Sequence, residues 1–284
     1  MSAADFARLL TLGAIWGASF IFQRVAAPAL GALWTSEGRV LLAGLALAAW
    51  FRVAGFDPQW RAHWKAYAAI GLVNSALPFS FYGYAAIHAP AALLALLNAS
   101  APLFGALFSL ALLGERLTLV RVAGLACGLG GVALVARPDL AQASPDFGWA
   151  IAASLAACAC YGFNGVVMRA LGHGAPARGI AVGSQLCAAL WIAPLLPFAP
   201  LPAMPTPLVA ASVLALALLC SAVAYLLYFR LIADIGNTGA LTVTYLVPAF
   251  GVLWGWLLLD EAVTPGAIAG GALILAGVLL VTRR

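Results

Sequence analysis

Polar and aromatic side chains stand three or four residues apart inside long apolar stretches of this chain. Residues at that spacing share one face of a helix. Polar groups are costly in an apolar surrounding, so their presence there often marks a functional site. Aromatic rings can bury the apolar part of a small solute, while amide and hydroxyl groups hydrogen-bond its polar head. The predicted substrate-binding set is Trp16, Ser19, Gln23, Asn74, Ser75, Phe79, Tyr82, Asn98, Tyr161, Asn164, Ser221, Tyr225, Tyr228, Thr244 and Tyr245.

The same residue types also have a structural interpretation. Ser, Asn and Thr side chains join helices through hydrogen bonds, and aromatic rings fill space between them. Pro102 and Pro248 each remove a helical hydrogen bond and predict a kink. That kink serves either gating or a static widening of the helix bundle. Both interpretations stay open at this stage.

The sequence lacks the motifs of an intramembrane enzyme. It has neither an H-E-x-x-H pair, nor a G-x-S-x-G elbow, nor an aspartate-rich metal motif. All 5 cysteines fall inside apolar stretches, which supports neither a disulfide framework nor a metal site. We therefore predict no enzymatic activity, no metal and no cofactor.

Composition indicates the elements that carry these side chains. Hydrophobic residues make up 65% of the 284-residue chain and charged residues 8%, too little polar surface for a water-soluble fold. Apolar stretches of about 20 residues are long enough to cross a bilayer as helices. The ten predicted membrane spans are 6–27, 34–53, 64–86, 90–113, 118–136, 147–169, 178–198, 207–231, 238–259 and 265–282.

The distribution of positive charge predicts the orientation. If the N-terminus is cytoplasmic, most of the 14 basic residues lie at cytoplasmic ends of spans, which is the bias typical of bacterial inner-membrane proteins. Both termini are then cytoplasmic. The net charge of +5 follows from this topology, so we do not expect nucleic acid as a partner.

A repeat divides the chain in two. The segment Pro102–Arg137 recurs without a gap as Pro248–Arg283, an offset of 146 residues, and the same offset pairs Ser75 with Ser221 and Tyr82 with Tyr228. Each copy, 1–137 and 146–284, holds five predicted spans. Because five is odd, the second copy must be inverted in the membrane, and inverted repeats are typical of carriers that open alternately to each side.

Four charged residues near span ends have two interpretations each. Arg24 and Arg39 either snorkel to the headgroups or face an outer vestibule and attract a substrate carboxylate. Glu115 and Glu261 lie at tight connections, where we expect them to be structural. The spans contain no central Asp or Glu. Small residues at helical spacing predict close packing of spans 5 and 10, through Gly124, Gly128, Gly131, Gly266, Gly270 and Gly277.

Several of these motifs together resemble a known family. Residues 112–118 (Leu-Leu-Gly-Glu-Arg-Leu-Thr), their counterpart 258–264 (Leu-Leu-Asp-Glu-Ala-Val-Thr), the Trp-Gly-Ala-Ser-Phe of 16–20 and Arg39 are similar to the EamA domain of the drug/metabolite transporter superfamily. The resemblance implies an all-helical membrane protein of ten transmembrane helices, with a cavity between two five-helix repeats. Overall similarity within the family is greatest to bacterial YddG-type exporters of aromatic amino acids.

These observations predict a transporter of the bacterial inner membrane. We expect it to export amino acids, aromatic and other neutral ones, or similar small metabolites, by alternating access. Its partners would be a small-molecule substrate and the lipid bilayer, and we expect a monomer. A polyspecific drug or metabolite exporter is the alternative, followed by a passive channel.

Overall fold

The computed structural model describes residues 2–114, 118–140, 145–200 and 204–282, apart from the side chains of 136–140, 237–238 and 282. Helices make up the regular structure of this part of the chain, which contains no strand. Glu115, Arg116, Arg283 and Arg284 lie outside the described residues. The sequence predictions for these four residues therefore stay predictions.

The first half begins with a capped helix. The Ser2 hydroxyl accepts a hydrogen bond from the backbone N–H of Asp5, and the Asp5 carboxylate accepts one from the backbone N–H of Ser2. Gly31 alone separates the first two helices, in a left-handed φ of 82° that favours glycine. The helices are α1 (Ala3–Leu30), α2 (Ala32–Val53), α3 (Trp60–Gly71), α4 (Leu77–His88), α5 (Ala91–Asn98), α6 (Ala101–Leu113) and α7 (Leu119–Leu140).

The second half has similar elements. Its first two helices are long, and a short 3₁₀ helix at Ala193–Phe198 extends the second of them. A non-helical residue, Gly236, kinks the chain within α11. The helices are α8 (Pro145–Leu171), α9 (Ala177–Ile192), α10 (Pro207–Leu214), α11 (Ala224–Leu241), α12 (Val243–Leu259) and α13 (Pro265–Thr282).

Two π-helical segments join consecutive helices into longer ones. Leu72–Ala76 connects α3 with α4, and Ala215–Val223 connects α10 with α11. The offset of 146 places 72–76 at 218–222, inside the second segment. Both halves therefore contain a π-helix at equivalent positions. Such segments are rare and are often found at functional sites.

Seven helical stretches of the described residues are long and apolar enough to cross a membrane. Residues 119–135 and 265–281 form shorter apolar helices, and α2, which carries Glu37, Arg39 and Arg52, is not one of the seven. Each of the seven stretches, helix α2 and each of the two shorter helices overlaps one predicted span. The seven are Ala3–Leu30, Trp60–His88, Ala91–Leu113, Pro145–Leu171, Ala177–Phe198, Pro207–Gly236 and Gly239–Leu259.

Packing follows the same pattern in both halves. Helix α1 lies along α12, as α8 lies along α5 and α6; α2 contacts the π-helix of the second half, as α9 contacts that of the first. Helices α7 and α13 pair closely. A Cβ atom on Gly131 would lie 2.6 Å from the carbonyl oxygen of Gly270, and one on Gly124 would lie 2.8 Å from that of Gly277. The prediction of close packing at these glycines is confirmed.

Candidate functional site

Arg39 of α2 is buried between helices, with 6% of its surface exposed. Its guanidinium carbon lies 3.7 Å from the centre of the Phe79 ring, and its Nε donates a hydrogen bond of 3.1 Å to the Ser221 hydroxyl. No carboxylate in the described part of the chain forms a salt bridge with the Arg39 guanidinium. The expectation that Arg39 snorkels to the headgroups is therefore wrong. Helix packing turns its side chain inward.

Gln185 of α9 is also fully buried and mirrors Arg39. Its Nε2 donates to the Ser75 hydroxyl at 3.0 Å and to the Tyr225 hydroxyl at 3.3 Å. Its Oε1 has no hydrogen-bond partner among the described residues. A buried amide oxygen without a partner is unusual and calls for a ligand or water.

The π-helices place the two serines that Arg39 and Gln185 contact. Ser75 lies in the first π-helix and Ser221 in the second. The Ser221 hydroxyl donates to the carbonyl of Leu216, five residues earlier, at 2.9 Å, which is the spacing of a π turn. The wider turn rotates the following residues relative to a regular α-helix. This local geometry brings one polar side chain of each half against the opposite half.

An amide pair extends the polar region toward α8. The Nδ2 of Asn164 donates to the Oδ1 of Asn74 at 3.1 Å, so this contact also joins the two halves. The Asn164 Oδ1 is buried and has no partner within the part of the chain that the structure describes. Together with the Gln185 Oε1, it gives the site two free acceptors.

Tyrosines form a layer beside these amides. The Tyr82 hydroxyl donates to Asn98 Oδ1 at 3.0 Å and lies 3.3 Å from the Cys158 sulfur. The Tyr82 ring stacks on the Tyr161 ring, with 6.3 Å between the ring centres, and packs edge to face with the Phe20 ring, with 5.3 Å between the centres. The layer therefore combines apolar ring faces with buried hydroxyl groups.

The remaining predicted residues make separate contacts. The rings of Trp16 and Tyr228 contact each other at 5.5 Å, and the Nε2 of Gln23 donates to the backbone carbonyl of Phe79 at 3.4 Å. The Ser19 hydroxyl donates to the carbonyl of Trp16 in its own helix, and the Thr244 hydroxyl donates to the carbonyl of Leu241 at the end of the preceding helix. Tyr245 packs against the hydrophobic core. These contacts agree better with the structural interpretation of Ser19 and Thr244.

The two prolines differ in their setting. Span 4 is broken between α5 and α6, so Pro102 lies in the first turn of α6, where a helix lacks hydrogen-bond partners for its N–H groups. Pro248 lies within α12 and leaves a carbonyl of that helix without its usual donor. The gating role of either proline stays a prediction.

Two further charged residues bind helix ends. The Glu261 carboxylate accepts hydrogen bonds from the backbone N–H groups of Ala91 and Ala92, at 2.7 and 2.8 Å, and so caps α5. This confirms its structural role. Arg24 donates to the carbonyls of Ala86 and Ile87 at the end of α4, at 2.8 and 3.0 Å, instead of extending to a headgroup region.

Sequence reasoning missed two residues of the site. Gln185 and Cys158 are not among the predicted binding residues, and for Arg39 the sequence left open whether the side chain snorkels to the headgroups or faces a substrate carboxylate. A signal was available for Gln185, because the offset of 146 that pairs Ser75 with Ser221 also pairs Arg39 with Gln185. No comparable signal marks Cys158, whose sulfur donates to the carbonyl of Leu97 at 3.3 Å.

The structure thus combines apolar helices with a buried polar site at the contact between two similar halves. The described residues hold no cluster of His, Cys, Asp or Glu that could bind a metal ion. A cation, amides, hydroxyls and aromatic rings are suited to hold a small polar solute. These features define a multi-pass helical membrane protein of the transporter class.

The EamA-like transporter family matches residues 7–137 and 148–283 of this chain. The chain belongs to that family. It is 28% identical over 289 residues to the "Probable terminal-alkyne amino-acid exporter" of Streptantibioticus cattleyicolor, covering 100% of this chain and 95% of the relative. It is 24% identical to an "Uncharacterized transporter" of Archaeoglobus fulgidus, with 95% and 94% covered.

A solved protein crystal structure also resembles this fold. It has a TM-score of 0.66 and 21% sequence identity, and the similarity covers 99% of this chain and 97% of the other. At this identity the likeness concerns the fold alone. The family and the apolar helices establish a multi-pass membrane protein with transporters as relatives.

Proposed function

We propose that this protein exports amino acids, aromatic and other neutral ones, or similar small metabolites that carry a carboxylate. The observation that carries the proposal is the buried guanidinium of Arg39, which forms no salt bridge with any described carboxylate. A buried charge without a counter-ion is costly. A substrate carboxylate supplies that counter-ion and the bidentate geometry that a guanidinium prefers.

Aromatic side chains around Arg39 favour an apolar substituent on the solute. Phe79 covers one face of the guanidinium, Tyr161 packs against the apolar cluster that contains Phe79, and Tyr225 follows Ser221, the acceptor of the Arg39 hydrogen bond, by four residues. Rings in such a layer bury large apolar area. The relative named as an amino-acid exporter supports the same class of substrate.

Alternating access is the mechanism that we propose. The contacts of α1 with α12 and of α8 with α5 and α6 are equivalent under the offset of 146, as expected for two related repeats, 1–137 and 146–284. With ten spans these repeats would be inverted, with both termini cytoplasmic in a bacterial inner membrane. Exchange of the two repeat conformations would expose Arg39 to each side in turn. Nothing in this mechanism needs a second copy of the chain.

A cavity suggests where the solute enters. Its volume is about 760 Å³, and it lies between the end of α2, the start of α9 and the middle of α11. Arg178 and Arg230 are part of its lining, as are Leu226 and Phe229, which follow Tyr225 by one and four residues. Basic residues at this predicted cytoplasmic opening would attract a carboxylate toward the site.

Transport by the purified protein tests the proposal. Proteoliposomes are loaded with labelled phenylalanine, threonine or an organic cation, and flux is measured with and without a pH gradient. We expect flux of the two amino acids. Transport of the cation alone would support a drug exporter and overturn the proposed substrate, while flux at channel rates would overturn alternating access.

Substitution of Arg39 identifies the group that binds the carboxylate. Arg39→Met should lower phenylalanine flux by about tenfold or more, the scale of one lost charge-assisted hydrogen bond. Arg39→Lys keeps the charge but loses the planar fork, so part of the flux should remain. Equal flux in Arg39→Met and the unchanged protein would contradict this assignment.

A further inference from the structure

Arg39 and Gln185 occupy equivalent positions in the two halves. The offset of 146 pairs Arg39 with Gln185, Ser75 with Ser221 and Phe79 with Tyr225. The contacts obey the same pairing. Arg39 touches Phe79 in its own half and Ser221 in the other, while Gln185 touches Tyr225 in its own half and Ser75 in the other.

Both side chains reach the same part of the site. Gln185 hydrogen-bonds Ser75 and Tyr225, while Arg39 contacts Phe79, four residues after Ser75, and Ser221, four residues before Tyr225. Residues four apart on a helix are neighbours on its surface, so the two side chains bind adjacent positions on the same two helical segments, where both can contact one small head group. An α-amino acid has such a head group, with a carboxylate and an ammonium on the same carbon.

Their chemistry is complementary to that head group. A guanidinium has five donors and no acceptor, whereas an amide also offers a carbonyl oxygen. The Gln185 Oε1 is buried and has no partner among the described residues, and the Asn164 Oδ1 is in the same condition. An unpaired buried acceptor is costly. An ammonium group carries the N–H donors that would pair both oxygens.

We propose that Gln185, with Asn164, binds the α-ammonium group of the substrate while Arg39 binds its α-carboxylate. Gln185 then determines specificity: it selects zwitterions over carboxylic acids that lack an amino group. The inference rests on the proposed function, since it assigns the second half of the head group to the same site. The difference between the repeats, a cation in one and a neutral amide in the other, creates the selectivity.

Three probes of one shape test this assignment. L-phenylalanine carries both charges, 3-phenylpropanoate lacks the ammonium and 2-phenylethylamine lacks the carboxylate. Apparent affinities come from transport into proteoliposomes and from thermal stabilisation of the purified protein. We expect phenylalanine to bind about tenfold or more tightly than 3-phenylpropanoate, the scale of a buried hydrogen bond to a charged group.

Variants of Gln185 then locate the discrimination. Gln185→Met keeps the shape but removes the acceptor, so the affinity ratio of phenylalanine to 3-phenylpropanoate should fall close to one. Gln185→Glu keeps an acceptor and should preserve or raise that ratio. Ser154→Ala is the control, because the Ser154 hydroxyl is buried but bonds to the carbonyl of Ala150 in its own helix. Its ratio should equal that of the unchanged protein.

The outcomes separate this inference from the proposed function. A ratio that stays high in Gln185→Met, with both affinities lowered equally, would overturn the inference and assign Gln185 a structural role. Equal binding of phenylalanine and 3-phenylpropanoate to the unchanged protein would also overturn it but leave the carboxylate site standing. If none of the three probes binds, the proposed function falls, and the inference falls with it.

Discussion

Single side chains in this site carry hydrogen bonds that join different helices. The Tyr82 hydroxyl joins α4 to Asn98 at the end of α5 and to Cys158 of α8. Its equivalent in the second half, Tyr228, contributes a ring contact with Trp16. The two tyrosines share a position in the repeat, but Tyr82 joins helices through its hydroxyl, whereas the Tyr228 contact is made by its ring.

This difference predicts unequal effects of two matched variants. Tyr82→Phe removes the bond to Asn98, which should lower the free energy of unfolding by about 0.5–1.5 kcal/mol and weaken phenylalanine binding. Tyr228→Phe keeps its ring contact and should have the smaller effect on stability. Thermal unfolding in detergent, followed by tryptophan fluorescence, measures both. A larger loss in Tyr228→Phe would contradict the assignment.

At the scale of helices, close approach of α7 and α13 depends on glycine. The backbone of Gly131 lies so near the carbonyl of Gly270 that a Cβ would sit 2.6 Å from that oxygen, whereas a Cβ on Gly130 would meet nothing within 4 Å. The two glycines are neighbours in one helix. They provide a matched comparison of packed and open positions.

Gly131→Ala should therefore destabilise the protein by about 1–3 kcal/mol, because the two helices must move apart. Gly130→Ala should be neutral or slightly stabilising, since alanine is the better helix former. The melting temperatures of the two variants decide the matter. Equal values would show that α7 and α13 adjust freely to an added methyl group.

Glu261 connects two helices that are distant in sequence. Its carboxylate binds the first two N–H groups of α5, which is only 8 residues long and has no side-chain cap of its own. Glu261→Ala should lower the free energy of unfolding by about 1–2 kcal/mol, as expected for loss of a helix cap. The control is Asp260→Asn, which removes the neighbouring carboxylate but tolerates the left-handed φ of 52°. A similar melting temperature for both variants would argue against the cap.

At the scale of the whole molecule, ion pairs join the beginning of α1 to Asp234, near the end of the α11 segment that precedes the kink at Gly236. Arg8 lies 3.0 Å from the Asp5 carboxylate and 2.8 Å from that of Asp234, which also pairs with Arg230 at 2.9 Å. These groups are partly exposed, so the pairs contribute little to stability. Alternating access would require such contacts between helix ends to form and break.

Cross-linking these ends tests that requirement. In the double variant Arg8→Cys with Asp234→Cys, a flexible thiol-reactive cross-linker should arrest transport, and reductive cleavage of a disulfide-containing linker should restore it. Each single variant treated in the same way should keep transporting, which controls for the natural cysteines. Undiminished flux in the cross-linked protein would show that these ends need not separate.

The sequence predicted an all-helical membrane protein and selected most of the residues that form the candidate site. Apolar composition, span length and the offset of 146 are properties of the chain in one dimension, so they need no knowledge of packing. They were sufficient to select Asn74, Ser75, Phe79 and Tyr82 of the first half. In the structure these residues contact Asn164, Gln185, Arg39 and Asn98, respectively. The closely packed glycines of spans 5 and 10 also followed from spacing alone.

Tertiary structure decided where the charge lies and what it faces. The direction of Arg39 depends on how α2 rotates against α9 and the second π-helix, and hydropathy cannot distinguish an arginine that faces lipid headgroups from one turned inward. The π turns at 72–76 and 215–223 change the helical period that sequence patterns assume. The contacts of Arg39 with Ser221 and of Gln185 with Ser75 each join one half to the other, so they exist only in the folded chain.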